Sequence, residues 1–382
     1  MRILFVSGCA WGGSLASTRE LAVHVRQPGC ESFLLARKPM GTRLQPRLHK
    51  RLENLHAKLA ASPVHGLASW LARQPGSEPT RFDGADPGVP EWRSPVPANA
   101  CLGLATRLGC DTVVVASVLR PQWRQIQHDL RTNGVRCVLY LREDALLGHL
   151  DPASPPDLLI ANSKVLQREA SERGLDCEFV PSPVRAPALP ADGPREHVLI
   201  VNFDEPYGGE TALHLATRCP EVPFVFQDSW NRMSHRIETL SARIDELGLR
   251  NVVVRPFDPC LEEVYSGARV LLTPYSRSIR NARPRTVMEG LACGLPVLAS
   301  DLPGLREVAG DAGIYVSPEA PIENWTAALR SLWLDREGYE ALARRARQRF
   351  RAERVTGSDV AARFLAVLTK DSGLTGGRAA VR

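Results

Sequence analysis

Short apolar, β-branched runs alternate with helical stretches along this chain, and the alternation starts afresh halfway. In the first half the runs are Ile3–Val6, Ser32–Ala36, Thr112–Ala116, Cys137–Leu141, Leu158–Ala161 and Glu178–Val180. Apolar throughout and separated by helices, they read as parallel strands of βαβ units buried on both faces. Pro181, Pro183, Pro187, Pro190 and Pro194 then crowd one stretch, which neither a helix nor a central strand accommodates. A second series follows, with strands predicted at His197–Asn202, Phe224–Gln227, Val252–Arg255, Val270–Thr273, Val297–Ala299 and Gly313–Val316. A chain of 382 residues also exceeds what one core usually spans, roughly 250–300 residues. The reading is an α/β protein with Rossmann-like domains over 1–185 and 195–350. A helix over 351–370, with the option of returning to the first domain, and a fraying tail over 371–382 complete it.

Other classes fall away on simple grounds. No apolar stretch approaches the roughly 20 residues that cross a bilayer, and Met1-Arg2 lead directly into Ile3–Val6, too short a run for a secretory signal. The expectation is a cytoplasmic protein. Nine cysteines with no CxxC pair or Cys/His cluster read as reduced, mostly buried thiols, and no metal site is expected. A net charge of +6 favours anionic ligands without choosing among them, and with no zinc finger or RNP-like motif nucleic acid is not expected. The stretch Pro63–Pro97 has no clean periodicity and reads as an insertion or loop. Between Arg37 and Lys58 seven Lys/Arg accompany one acid, and Leu48, Leu52, Leu55 and Leu59 share a helical face. Such a helix more often packs its leucines on the domain. A peripheral contact with the inner membrane face, or with a lipid-linked acceptor, is the smaller expectation. The Arg344–Arg354 cluster is read with the same weighting.

The most informative segment is Ser276–Val316. Pro284 suits a helix start, Thr286–Cys293 reads as a short helix stopped by Gly294, and a strand follows at Val297. The first-turn amides, including those of Thr286 and Val287, and the positive dipole end make this an anion site. Arg283 and Arg285 flank it with forked donors suited to phosphate oxygens. Arg277 and Arg280 read equally well as solvated loop charges.

Several segments, in order, resemble a known family. MEGLACGLPVLASDLPGLREVAGDAGIYV is similar to the donor-site signature of the retaining GT-B glycosyltransferases of the GT4 group (glycosyl transferases group 1). LEEVYSGARVLLTPY, DLLIANSKVLQREASERGL, FVPSPV and SGCAWGGSLASTRELAVHV resemble neighbouring elements of the same family. The resemblance implies two Rossmann-like domains facing a central cleft, donor held by the C-terminal one. It implies transfer of a sugar from a nucleoside diphosphate donor to a small-molecule, glycan or lipid-linked acceptor, with retention, no metal, and no cofactor beyond that co-substrate. Glu289 matches the family glutamate that binds the ribose hydroxyls, chemistry that a carboxylate facing a vicinal diol can perform. The bland alternative is a glutamate stabilising its helix's first turns.

Two departures stand out. Asn281 replaces the family glutamate that faces the donor sugar, and Asn202–Gly209 lacks the arginine and lysine that usually hold the diphosphate. The Gly12-Gly13-Ser14 turn reads as a loop where backbone can approach a ligand closely. Glu143 or Asp144, at the end of the Cys137–Leu141 strand, could orient an acceptor hydroxyl or sugar, with helix capping by Asp144 as the alternative. Asn281, Glu143 and Asp144 are the catalytic candidates. A sugar-nucleotide epimerase and a non-catalytic sugar-nucleotide-binding protein are the rival readings; no GxGxxG supports a dinucleotide oxidoreductase.

Overall fold

The computed structural model describes residues 1–10, 12–38, 78–82, 88–118, 120–142, 146–190, 193–229, 234–279 and 283–372. The chain divides into two compact units, one of Met1–Pro183 together with the helix Gly357–Ser372, the other of Val184–Thr356.

The first unit is built on strands β1 (Arg2–Ser7), β2 (Glu31–Arg37), β3 (Thr80–Phe82), β4 (Glu91–Ser94), β5 (Thr112–Ala116), β6 (Arg136–Leu141), β7 (Leu158–Ala161) and β8 (Glu178–Phe179). They lie in the order β3-β4-β2-β1-β5-β6-β7-β8, every pairing parallel except β3 with β4. Strand residues alternate between faces. Leu4, Val6, Val113, Val115 and Leu139 form one core with the helices Pro97–Arg107 and Arg120–Thr132, to which Cys101, Leu104, Trp123 and Ile126 belong. Phe5 faces the other way and meets Phe364 of the Gly357–Ser372 helix at 5.8 Å between ring centroids; the Tyr140 ring lies 6.2 Å from the same phenylalanine.

The second unit carries β9 (His197–Val201), β10 (Phe224–Gln227), β11 (Val252–Arg255), β12 (Ala268–Thr273), β13 (Val297–Ser300) and β14 (Gly313–Val316). They are all parallel, in the order β11-β10-β9-β12-β13-β14. Val198, Ile200, Phe224, Phe226, Val270 and Leu272 pack against Ala212, Leu213 and Ala216 of the Gly209–Arg218 helix and Trp325, Leu329 and Leu332 of the Ile322–Leu334 helix. On the opposite face Leu271 packs against Gly290 of the Arg285–Ala292 helix. The proline stretch runs along this unit, where the Val184 N–H donates to the Val355 carbonyl (2.8 Å) and the Ala188 N–H to the Glu262 carboxylate (3.0 Å).

The strands read from sequence recur within about two residues of their observed ends. Pro63–Pro97 differs, because its described residues include β3 and β4 rather than a loop alone. The inward residues of β4 are Glu91 and Arg93, 1% and 7% exposed, so the polar pattern of this strand is the inverse of an apolar core strand. They are tolerated inside because Glu91 and Arg93 pair with each other, and Glu91 also accepts from the part-exposed Arg19, whose guanidinium donates from Nε to Glu91 Oε2 at 3.0 Å. Burial also raises the thiols, Cys101 and Cys177 to about 12 and Cys110 to about 11, and all nine cysteines are unbridged. Among the described residues no helix is long and apolar enough to cross a membrane.

Candidate functional site

In an open parallel sheet, ligands bind at the carboxyl ends of the strands, at the point where the strand order reverses. Each unit has one such point, between β1 and β5 in the first and between β9 and β12 in the second.

At the first, the loop after β1 lies tight against the end of β5. The Gly8 N–H donates to the Ala116 carbonyl (3.3 Å), and a Cβ at Gly8 would strike the Ser117 carbonyl. Ser117 itself takes a positive φ of 51°, uncommon for a residue with a side chain. Gly12, Gly13 and Ser14 open the helix Gly12–His24, and Ser14 turns inward to share a hydrogen bond with the Ser117 hydroxyl. Arg142, 9% exposed, donates from Nη1 to the Ser14 carbonyl (2.9 Å) and lies 4.7 Å over the Tyr140 ring. A cavity of about 20 Å³, lined by Ser117, Tyr140, Arg142 and Leu146 among others, adjoins them. Arg93 braces the same loop from β4, donating to the Ala10 (3.3 Å) and Arg37 (3.0 Å) carbonyls.

At the second, two loops interlock. After β9, Asn202 (φ 70°) and the turn Glu205–Tyr207 lead into Gly208 (φ 78°), the start of the Gly209–Arg218 helix. After β12, Pro274 and Tyr275 run against them: a Cβ at Gly208 would strike the Pro274 carbonyl, the Ser276 N–H donates to the Pro206 carbonyl (2.9 Å), and the Tyr207 and Tyr275 rings meet edge to face at 5.2 Å. Only glycine suits position 208.

The Arg285–Ala292 helix opens beside this edge. Pro284 precedes it as the N-cap in an extended conformation and supplies no side-chain hydrogen bond to its first turn. The amides of Arg285, Thr286 and Val287 belong to the positive end of the helix. The Val287 side chain is fully buried, so its contribution to any ligand is limited to its backbone. Gly294 (φ 71°) ends the helix, its N–H donating to the Leu291 carbonyl (3.0 Å).

The two arginines that flank this start have different surroundings. Arg283 has a side chain only 2% exposed, with Nη2 2.7 Å from Glu353 Oε2 and Nε 3.7 Å from Glu307 Oε1. Its charge is matched within the unit, so it braces the loop to the end of the Arg336–Glu353 helix. Arg285, 15% exposed, reaches one turn along its own helix to Glu289, Nε to Oε1 at 2.6 Å. Glu289 is 4% exposed, and its other oxygen lies 2.8 Å from the hydroxyl of Tyr265. Tyr265 is fully buried at the end of the helix Leu261–Tyr265, and its hydroxyl is also 3.0 Å from the Thr286 carbonyl. Burial first, and the Glu289 carboxylate second, hold this phenol well above its ordinary pKa, so it remains a donor. Arg277 pairs on the surface with Glu319, Nη2 to Oε2 at 2.8 Å.

Asn281, Glu143, Asp144 and Arg280 lie outside the described residues, as does most of the basic 37–58 segment. Sequence reasoning passed over Tyr265, Gly208 and Ser117 as site residues. A tyrosine between a short helix and a strand reads as core, and only a backbone angle distinguishes Ser117.

Two parallel-sheet, Rossmann-like units with these topologies are the GT-B architecture, and solved structures of that fold match along nearly the whole chain. A sucrose-phosphate synthase from Thermosynechococcus elongatus is similar with a TM-score of 0.71 at 16% identity, covering 98% of this chain and 100% of that one. HepE of Anabaena, solved in complex with UDP and glucose, is similar with a TM-score of 0.69 at 14% identity, over 97% of this chain and 100% of that one. A glycosyltransferase from Rickettsia africae follows at 0.67 and 12% identity, over 97% and 98%. At such identities the likeness establishes the fold. In sequence, residues 221–349 match the model of the family described as glycosyl transferases group 1, a span that contains Tyr265, Arg285 and Glu289. No curated protein matches the chain.

Proposed function

We propose that the protein is a glycosyltransferase that moves a sugar from a nucleoside diphosphate sugar to an acceptor, with retention of configuration. The observation that carries this reading is the group 1 family match over 221–349, which includes a helix start bearing Arg285 and a carboxylate, Glu289, one turn in. In this scheme Glu289 accepts from the ribose hydroxyls, while the first-turn amides and Arg285 receive the diphosphate. The bond between the anomeric carbon and the diphosphate oxygen breaks, and its electron pair leaves with the diphosphate. Fixed dipoles and a guanidinium stabilise that departing charge, and the acceptor oxygen forms the new bond as its proton passes to the departing diphosphate oxygen. UDP-sugars are the first donors to test, since HepE was solved with UDP-glucose.

A panel of UDP-, GDP-, ADP- and dTDP-sugars in a thermal-shift assay tests the reading, because a ligand that binds only the folded state raises the melting temperature by mass action. One donor should stand out and be slowly hydrolysed in the absence of acceptor. No shift with any member would remove the proposal. A second reading, a sugar-nucleotide-binding protein without transfer, draws on Asn202–Gly209, which carries Asp204 and Glu205 but no cation. It predicts a clear thermal shift with no donor turnover.

A further inference from the structure

We infer that Tyr265 is a positioning residue for nucleotide recognition, fixing Glu289 so that its carboxylate selects ribose over deoxyribose. The inference rests on the nucleotide-binding reading of Glu289 given above and extends it to a side chain that never touches the ligand.

An ionised carboxylate offers about four acceptor positions, two on each oxygen. In this chain Oε1 receives Arg285 Nε at 2.6 Å and Oε2 faces the Tyr265 hydroxyl at 2.8 Å. Among the described residues one position is thus filled on each oxygen, and one on each is left. That remainder matches a vicinal diol, whose two hydroxyls each need one acceptor. The two protein donors differ in how firmly they are held. Arg285 is a flexible side chain, 15% exposed. Tyr265 is a rigid ring with no exposed surface, set immediately before β12, and its hydroxyl stays protonated in this environment. With two torsions locked by packing, the ring gives the carboxylate a fixed reference. Glu289, with only 4% of its surface exposed, depends on that partner for its orientation.

Deleting the hydroxyl alone isolates this role. Binding of UDP, ADP and GDP and of their 2′-deoxy counterparts would be measured by calorimetry on the full-length wild type, Tyr265→Phe and Glu289→Gln. The wild type should prefer its ribonucleotide about tenfold over the 2′-deoxy form, the scale of one hydrogen bond to a charged group. Tyr265→Phe should lose most of that preference, with ribonucleotide affinity down about tenfold and 2′-deoxynucleotide affinity within about twofold of wild type. Loss of the ratio in a Tyr265→Phe protein whose melting temperature matches wild type would support the assignment over a merely structural role. Equal losses for both nucleotide forms, or an unchanged ratio, would overturn it. A Glu289→Gln protein that keeps the wild-type ratio overturns it as well, while binding of none of the three nucleotides by the wild type sinks the underlying reading together with this inference.

Discussion

Arg283 and Arg285 stand two residues apart, and in the sequence they are equivalent cations before a helix. The structure separates them. Arg283 is enclosed by Glu353 and Glu307, and Glu353 also pairs with Arg349 (2.8 Å), so Arg283→Ala removes one of two cations from this cluster and should lower unfolding stability by about 1–3 kcal/mol in denaturant titrations. Arg285→Ala should instead weaken binding of a nucleoside diphosphate more than that of the bare nucleoside, and equal losses would count against a phosphate role. His197 gives a pH test at the same scale. It is 6% exposed at the head of β9, and burial, aided by the charge of Arg255, pulls its pKa down to about 4. The unfolded chain therefore takes up this proton before the folded one does, and stability falls as the pH drops from about 6.5 towards 4. Equilibrium denaturation across that window should show the slope, and His197→Leu should flatten it. What sequence could supply here was residue type and spacing, enough to single out Glu289 and its helix. The company each charge keeps depends on residues up to seventy positions away, as with Arg283 and Glu353, and no local pattern carries it.

Most strands were legible because their runs are apolar and bounded by turn residues, and a parallel sheet demands that pattern. Strand β4 escaped because its buried face is ionic. Glu91 lies between Arg19 and Arg93, so Glu91→Ala would take the carboxylate partner from the buried guanidinium of Arg93 and the part-exposed one of Arg19. A loss of about 3 kcal/mol is expected. Arg93 also holds the Ala10 carbonyl, and the variant should accordingly quicken hydrogen exchange in Gly8–Ala10 as well as in β4 itself. The turn at Gly208 marks the other limit of sequence reading: GG suggests permissive backbone but not what presses on it. With φ at 78° and the Pro274 carbonyl in the way, Gly208→Ala should cost about 2 kcal/mol and disturb the β9 and β12 loops together, seen as weaker donor binding.

For the molecule as a whole, the division into two α/β units follows from sheet topology, and each unit has its own apolar core. The first is discontinuous in sequence. Its Gly357–Ser372 helix packs Phe364 against both Phe5 and Tyr140, so Phe364→Ala should destabilise that unit by about 3–5 kcal/mol in denaturant titrations and leave the unfolding of the other unit near wild type. This connectivity governs how the protein is made. On a ribosome the opening strands emerge early, yet the helix that shields Phe5 is translated only after every residue of the other unit, a delay of roughly ten to thirty seconds at about 5–20 residues per second. During that interval the Gly12–His24 helix covers only its own part of this sheet face, and the part that Phe364 covers waits for its partner, which makes it a natural client for chaperones acting on unfinished chains.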